Sequence, residues 1–248
     1  MAPTAALIAI GNELLNGTIR DLDLYTLGRN LTQLGFTVGP AMIVRDEPDR
    51  IIAALHDLWS RSPAVIISSG GLGPTEDDLT LAAIAQALDR PLEHNAEARR
   101  LVEHHYDRLL SLGHLENRGP EAARIKMAAL PKGASPILNP VGTAPGIRLS
   151  HKDTYLYVLP GVPKELEAMF TEAVLPDLKR HFTLNQWAEQ ALIVHCDDEA
   201  DIAEPLRHVT EQHPDVYVKS LAKPFPAASR EGLEVIAATS AATREEAE

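Results

Sequence analysis

Short apolar runs alternate with amphipathic helical segments in the first part of the chain, and this order constrains the fold more than any other feature. The first run, Ala5 to Ile10, shows no polar alternation, as expected of a strand covered on both faces. The run from Ala64 to Ile67 has the same character, and Phe36 to Val44 is predicted to be a strand between them. The order β-α-β-α-β-α therefore predicts a mostly parallel sheet with helices on both faces, a three-layer α/β/α fold.

The connecting helices carry apolar residues at helical spacing on one side. The first helix is expected to end at Gly35, a common stop signal, and Pro48 opens the second. A third helix follows the glycine-rich segment Ser68 to Pro74. Farther along, Gly146 to Leu149 and Thr154 to Leu159 are predicted to pair as a hairpin.

The character of the sequence changes near Pro176. Residues 1–175 are predicted to form the main α/β domain. Residues 176–248 have the pattern strand, helix, strand, strand, which predicts a small α+β domain. A chain of 248 residues is long enough for a main domain with such a companion.

Charge and cysteine content exclude several classes of partner. The formal net charge of −12 argues against nucleic acid and anionic membranes as partners. No stretch approaches the roughly 20 apolar residues of a membrane span. Met1 to Thr4 does not form a basic start followed by a long apolar segment, so a signal peptide is not expected. The single cysteine, Cys196, cannot form an internal disulfide, which fits a reducing cytosol. We therefore expect a cytoplasmic protein with a small-molecule ligand.

Glycine-containing turns follow several predicted strands, at residues 11–17, 70–73 and 142–146, and a further turn contains Gly161. Ligands of open α/β sheets bind at the carboxyl ends of the strands. Glycine lets backbone N–H groups approach a ligand, and a helix N-terminus behind them completes an anion site. Each charge-assisted hydrogen bond is worth about 1.5–3 kcal/mol, so three or four would hold a phosphate. A single such turn is more often only a tight connection. The turn at residues 70–73 favours a site more strongly, because it runs from a buried strand into a helix and is followed at once by acidic residues.

Three consecutive acids, Glu76, Asp77 and Asp78, follow the second of these turns. They fit the first turn of a helix, where negative charge is favourable, or a cation site beside a bound phosphate. Carboxylates repel phosphate unless a cation lies between them, and Mg²⁺ is bound by such carboxylates together with phosphate oxygens. Asp46, after the second strand, fits two interpretations equally well: a helix N-cap, or another carboxylate at the same pocket.

Four segments match family motifs in the expected order. Residues 68–80 are similar to a GGxGP…DDxT signature and residues 11–17 to a GxELLxG turn. Residues 139–146 and 159–163 resemble NPxGTAPG and LPGVP turns. Together they resemble the CinA branch of the molybdopterin-binding (MoaB/Mog-type) family over about the first 175 residues, and the remainder resembles more loosely the small domain that follows in CinA-like proteins. The amidohydrolase domain of full CinA has no counterpart, so nicotinamide-nucleotide deamidation is not expected.

The resemblance implies a metal-dependent pyrophosphatase that cleaves a nucleotide diphosphate such as ADP-ribose or FAD. Asp46 and Asp78 are the implied catalytic residues, and Asp46, Asp77 and Asp78 the implied ligands of Mg²⁺, Mn²⁺ or Co²⁺. Such a metal would neutralise charge on the phosphoanhydride and acidify water. The other implied ligand-binding residues are Gly11, Glu13, Gly70, Gly71, Gly73, Thr75, Asn139, Gly142, Thr143, Gly146 and Gly161.

Two other functions stay open. One is a non-catalytic protein that binds molybdopterin or a nucleotide, and the other is a molybdopterin adenylyltransferase in molybdenum cofactor biosynthesis. The CinA-type turns at residues 139–146 and 159–163 rank the hydrolase above the adenylyltransferase. Relatives form dimers or trimers, so we expect self-association. Asn12 and Lys164 depart from the family pattern, which bears on the substrate, a nucleotide or pterin pyrophosphate, more than on the fold.

Overall fold

The structure is a computed structural model, and it describes residues 2–196, 198–221 and 232–247. The chain divides into two compact units. The first contains Met1–Leu31 and Phe36–Thr183, and the second contains Thr32–Gly35 and Leu184–Glu248.

The strands of the first unit form one large sheet and one small antiparallel pair. Their bounds are β1 (Thr4–Ile10), β2 (Thr37–Val44), β3 (Val65–Ser69), β4 (Leu92–His94), β5 (Ala129–Pro131), β6 (Ser135–Ile137), β7 (Gly146–His151) and β8 (Thr154–Leu159). The large sheet has the order β2-β1-β3-β8-β7-β6, and β4 pairs with β5. Strands β2, β1, β3 and β8 are mutually parallel, whereas β7 is antiparallel to both of its neighbours. The predicted mostly parallel sheet and the predicted hairpin of β7 and β8 are both confirmed.

Helices connect these strands in the predicted alternation. Their bounds are α1 (Asn12–Leu15), α2 (Asp23–Gln33), α3 (Pro48–Ser60), α4 (Thr80–Ala87), α5 (Ala96–Ser111), α6 (Glu121–Met127), α7 (Pro163–Met169), a π-helical segment (Phe170–Val174) and α8 (Leu175–His181).

Strand β1 is buried on both faces, which explains its unbroken apolar sequence. Ile8 belongs to a core cluster on one face of the sheet, together with Leu55 of α3 and Ile84 of α4. Leu7, the next residue along the strand, points to the other face, where it approaches Gly28 of α2. The sheet is therefore covered from both sides, and its carboxyl ends are left for the loops.

Helix α8 contains Pro176, where the sequence analysis placed the domain boundary. Proline lacks an amide proton and is tolerated in the first turn of a helix, and the wider π-helical segment precedes it here. Asp177 holds α8 in the first unit, because its carboxylate accepts a 2.7 Å hydrogen bond from the Tyr157 hydroxyl and pairs with Arg148 at 3.0 Å. The first unit therefore ends beyond this helix, at Thr183.

The second unit is a small α+β fold. Its elements are β9 (Gln186–Val194), a 3-10 turn (Glu199–Ile202), α9 (Ala203–Gln212), β10 (Tyr217–Leu221), β11 (Leu233–Ala241) and α10 (Arg244–Ala247). The strands form an antiparallel sheet in the order β10-β11-β9, and the predicted order strand, helix, strand, strand is found. Ile202, Leu233 and Val235 form its core.

No helix in the described part of the chain combines the length and the apolar character that crossing a membrane requires. The cytoplasmic location and the self-association expected from the sequence stay predictions.

Candidate functional site

A cavity of about 590 Å³ opens at the carboxyl ends of the parallel strands of the first unit. Ile10 at the end of β1, Ser69 at the end of β3 and Pro160 after β8 all line it. Strand β1 lies between β2 and β3, so the chain leaves β1 to one side and later returns on the other. Such a switch point is where open α/β sheets bind ligands, and the volume is that of a small-molecule site, roughly 300–1,000 Å³.

Most of the predicted site residues meet at this cavity. Those that line it are Glu13, Asp46, Gly70, Gly71, Gly73, Asp77, Asp78, Thr143 and Gly161. Those outside its lining are Gly11, Thr75, Asn139, Gly142 and Gly146. Of the second group, Thr75, Asn139 and Gly142 form hydrogen bonds within the loops beside the cavity.

The loop after β3 has a backbone that requires glycine at its first position. Gly70 has a φ of 99°, and a Cβ on it would lie 2.1 Å from the carbonyl oxygen of Ile10. Its amide donates a 3.0 Å hydrogen bond to the carbonyl of Leu159. The buried Thr80 hydroxyl donates to the carbonyl of Gly70 at 2.9 Å. The loop therefore packs closely against β1 and is hydrogen-bonded to β8 and α4.

Asp78 is oriented by Thr75. Its Oδ2 accepts hydrogen bonds from the Thr75 backbone N at 2.9 Å and from the Thr75 hydroxyl at 2.6 Å. Gly73 leaves room for this carboxylate, since a Cβ there would lie 2.5 Å from Oδ2. Thr75 itself is outside the cavity lining, so what the structure assigns to it is the positioning of Asp78.

Asp46 lies on the cavity wall and does not cap a helix. The residue before α3 is Glu47, which makes no side-chain capping bond, so the N-cap interpretation of Asp46 is wrong. Its Oδ2 accepts a 2.8 Å hydrogen bond from the backbone N of Asn12. Partial burial raises the pKa of Asp46 above its usual value; the Asn12 bond opposes this, and the negative charges of Glu13 and Asp77 add to it. The negative charges of Glu13 and Asp77 therefore both act on Asp46.

The three predicted metal ligands, Asp46, Asp77 and Asp78, do not form a preorganised metal site on their own. Across residues 2–196, 198–221 and 232–247, no group of three or more His, Cys, Asp or Glu side chains is arranged to hold a metal ion. Asp78 is directed to Thr75 and Asp46 to the amide of Asn12, while Asp77 is exposed. A cation at this cavity would need further oxygen ligands from a bound molecule.

Asn139 builds the loop between β6 and β7. Its Oδ1 accepts a 2.7 Å hydrogen bond from the backbone N of Gly142, and its Nδ2 donates to the Ala144 carbonyl at 3.0 Å. Nδ2 also donates to Oε2 of Glu165 at 2.7 Å. Asn139 is buried, so it presents Thr143 and Glu165 to the cavity without lining it.

The two remaining predicted glycines belong to the sheet. Gly11 donates its amide to the carbonyl of Val44 at 3.1 Å. Gly146 begins β7 and packs against Met169 and the carbonyl of Val158. Gly146 is therefore required by close packing, whereas Gly11 contributes a backbone hydrogen bond to β2.

The sequence analysis missed Asp23, which is 6% exposed and lines the cavity. Burial raises the pKa of Asp23 to about 6, while a hydrogen bond with Ser69 opposes the rise and the charge of Asp21 adds to it. Asp21 lies just before α2, and its Oδ1 accepts hydrogen bonds from the amides of Asp23 and Leu24 in the first turn of that helix. An Asp-x-Asp pattern before a helix indicates only capping, and no signal in the sequence revealed that Asp23 is buried.

Negative charge dominates the cavity wall. Among the described residues that line it, Arg20 is the single basic side chain. The acidic side chains that line it are Glu13, Asp21, Asp23, Asp46, Asp77, Asp78 and Glu165. A bare diphosphate would be repelled by such a surface, whereas a diphosphate that carries a divalent cation would not.

Comparison with known proteins gives a family match over most of the chain. The sequence profile described as "Probable molybdopterin binding domain" matches residues 6–180. A protein of Pyrobaculum arsenaticum is 43% identical over 225 residues, which is 89% of this chain and 80% of the relative. A protein of Thermococcus kodakarensis is 35% identical over 221 residues, which is 89% of this chain and 86% of the relative.

A solved structure is also similar. The crystal structure of CinA from Thermoplasma acidophilum, described as a protein of unknown function, matches with a TM-score of 0.61 at 33% identity. The match covers 73% of this chain and 98% of that one. The predicted resemblance to CinA-type proteins is therefore confirmed.

Proposed function

The chain belongs to the family of probable molybdopterin binding domains as a CinA-like member, and we propose that it hydrolyses a nucleotide diphosphate, such as ADP-ribose or FAD, with the help of a divalent cation. The observation that carries the proposal is the acidic wall of the cavity beside the tightly fixed loop of residues 70–73. A diphosphate accompanied by Mg²⁺, Mn²⁺ or Co²⁺ satisfies both features.

The available side chains fit such a cation. Mg²⁺ keeps several waters and is commonly held by one or two carboxylates plus substrate phosphates, so it does not require three protein carboxylates. Asp77 lies close enough to Asp46 for its negative charge to raise the pKa of Asp46. Together with Asp78 they would hold the ion. When bound, it would neutralise charge on the phosphoanhydride and lower the pKa of a water.

Backbone and side-chain groups of the protein would bind the phosphates and position the reacting water. Backbone amides of the 70–73 loop would donate to phosphate oxygens, as at other glycine-rich anion sites. Thr75 keeps the Asp78 carboxylate in one orientation. Asp46 would accept the proton of the attacking water.

Release of AMP tests the proposal. The purified chain is incubated with ADP-ribose or FAD and each of the three metals, or with EDTA, and AMP is measured by chromatography. Asp46→Asn and Asp78→Asn are expected to lose about 100-fold or more, the usual range for general acid–base groups. Asp153→Asn is the matched control, because Asp153 is exposed on the turn between β7 and β8. Equal release by wild type and both cavity variants would overturn the hydrolase, and saturable binding without AMP would indicate a binding protein.

A further inference from the structure

Asp23 has a carboxylate oxygen that no residue in the described part of the chain satisfies. It is the first residue of α2, is 6% exposed and lines the cavity. Its Oδ1 receives no hydrogen bond from any residue that the structure describes. The backbone N of Asp23 is already used, since it donates to Oδ1 of Asp21 at 3.2 Å. The free acceptor is therefore the side chain, at the wall of the candidate site.

A buried, unpaired carboxylate oxygen is costly to the fold. Nearly all buried polar atoms in native proteins have a partner, and each exception calls for an explanation. Ser69 interacts with the same carboxyl group, and the pKa of Asp23 nevertheless rises to about 6, as burial dictates. At neutral pH the group is mostly ionised, and an ionised carboxylate only accepts hydrogen bonds. A hydrogen-bonding partner of this oxygen must therefore carry an O–H or N–H group.

Phosphate oxygens do not fit this role. They are acceptors and negatively charged, so Asp23 would repel them. Ser69 immediately precedes Gly70, so Asp23 lies beside the loop assigned to the diphosphate. The part of the ligand next to the diphosphate is the nucleoside. Ile10, Leu72 and Met127 also line the cavity and offer apolar contacts to it.

We propose that Oδ1 of Asp23 accepts a hydrogen bond from a ribose hydroxyl or a base N–H of the ligand, and that Asp23 selects nucleosides over bare diphosphates. The assignment rests on the ligand class of the proposed function and adds a specificity-determining residue to it. It requires binding only and does not depend on cleavage.

Binding of uncleavable probes tests this assignment separately from hydrolysis. Calorimetry with Mg²⁺ compares α,β-methylene-ADP, whose P–C–P bridge resists hydrolysis, with methylene diphosphonate, which has no nucleoside. Asp23→Ala is expected to raise the Kd of α,β-methylene-ADP by about 10- to 100-fold, the cost of one charge-assisted hydrogen bond. It should not weaken the binding of methylene diphosphonate, because the Asp23 carboxylate repels phosphate oxygens. Asp23→Asn retains an acceptor oxygen and should recover most of the nucleotide affinity.

Analogues identify the donor. The 2′-deoxy, 3′-deoxy and purine-riboside forms of α,β-methylene-ADP each remove one donor group. The form that lacks the relevant donor should bind wild type weakly and lose nothing more in Asp23→Ala, because the two changes remove the same interaction.

Three outcomes would overturn the assignment. Unchanged nucleotide affinity in Asp23→Ala would show that the ligand does not reach Oδ1. An equal loss of affinity for both probes would assign Asp23 a structural role. Failure of the wild-type protein to bind α,β-methylene-ADP would show that the site does not take a nucleoside. Tight, Asp23-dependent binding without AMP release from ADP-ribose would overturn the hydrolase alone.

Discussion

The hydroxyl of Thr75 donates a 2.6 Å hydrogen bond to Oδ2 of Asp78, and the Thr75 backbone N donates a second one at 2.9 Å to the same oxygen. Two donors on one oxygen hold the carboxylate in a single orientation. The loop itself is held from the side by Lys126, whose Nζ donates to the carbonyl of Thr75. Asp78 therefore depends on its neighbour for its position at the cavity.

Removing the Thr75 hydroxyl should lower activity without unfolding the protein. Thr75→Val keeps the shape and the backbone donor but loses the hydroxyl bond to Asp78. We expect AMP release from ADP-ribose to fall about 10-fold, since a hydrogen bond to a charged group is worth about 1.5–3 kcal/mol. Thr75→Ser, which keeps the hydroxyl, should stay within about 3-fold of wild type. Equal rates for the Val and Ser variants would contradict a positioning role.

Adding a methyl group at Gly70 should destabilise the first unit. Gly70→Ala places a Cβ 2.1 Å from the carbonyl oxygen of Ile10, on a backbone with a φ of 99°. We expect a loss of about 3 kcal/mol or more in the free energy of unfolding, from strain and displaced backbone.

Gly17→Ala is the matched control. Gly17 also has a positive φ, 76°, but a Cβ there meets nothing within 4 Å. Its cost should be near 1 kcal/mol, from the backbone conformation alone. Urea unfolding measures both variants. Similar losses would mean that the contact with Ile10 is relieved by a small shift of the loop.

Asp23 should make stability fall as pH rises. The carboxyl pKa is about 6 in the folded state and near 3.8 when exposed, so the folded state binds the proton more tightly. Stability contributed by the protonated form is therefore present below about pH 4 and is lost as pH rises through about 6. Asp23→Asn should raise Tm at pH 8 and leave it unchanged at pH 4.

The expected gain at pH 8 is about 1–2 kcal/mol, because solvent that enters the cavity screens part of the charge. For a chain of this size that corresponds to roughly 2–8 °C in Tm. Calorimetry at the two pH values measures it. An equal rise in Tm at pH 4 and pH 8 would show that Asp23 is not the titrating group.

The Tyr157 hydroxyl should stabilise the first unit. It is buried and donates a 2.7 Å hydrogen bond to Asp177. Burial raises the pKa of the Tyr157 hydroxyl, and the hydrogen bond to Asp177 adds to the rise. Tyr157→Phe should cost about 1.5–3 kcal/mol in urea unfolding. Tyr155→Phe is the control, because its hydroxyl contacts the partly exposed His181 and should matter less, by about 1 kcal/mol or under. A larger loss for Tyr155→Phe would contradict this ranking.

The local pattern of apolar residues and turns in the sequence was sufficient to predict the fold class. The unbroken apolar run of β1 reflects burial on both faces, and the turn residues between β7 and β8 reflect a hairpin. Both features depend on residues that are adjacent in the sequence, so they can be predicted without the tertiary structure. The pair β4–β5 joins segments far apart in sequence and was not predicted.

Loop motifs led to the cavity but not to the role of each residue. Gly70, Gly73 and Asp78 line it as the motif indicated. Asn139 and Thr75 belong to the same motifs, yet they hydrogen-bond to the loops themselves and do not line the cavity. A motif records which residue types a loop needs, and it does not say whether a side chain faces the ligand or the loop.

The amino-acid sequence by itself determined the α/β alternation, the glycine turns and the acidic segment Glu76 to Asp78, because spacing and residue type encode them directly. Only the tertiary structure decided that Asp23 is buried beside Ser69 and that Pro176 lies within a helix of the first unit. Burial depends on which distant segments pack together, and an Asp before a helix has the same local sequence whether it faces water or a cavity.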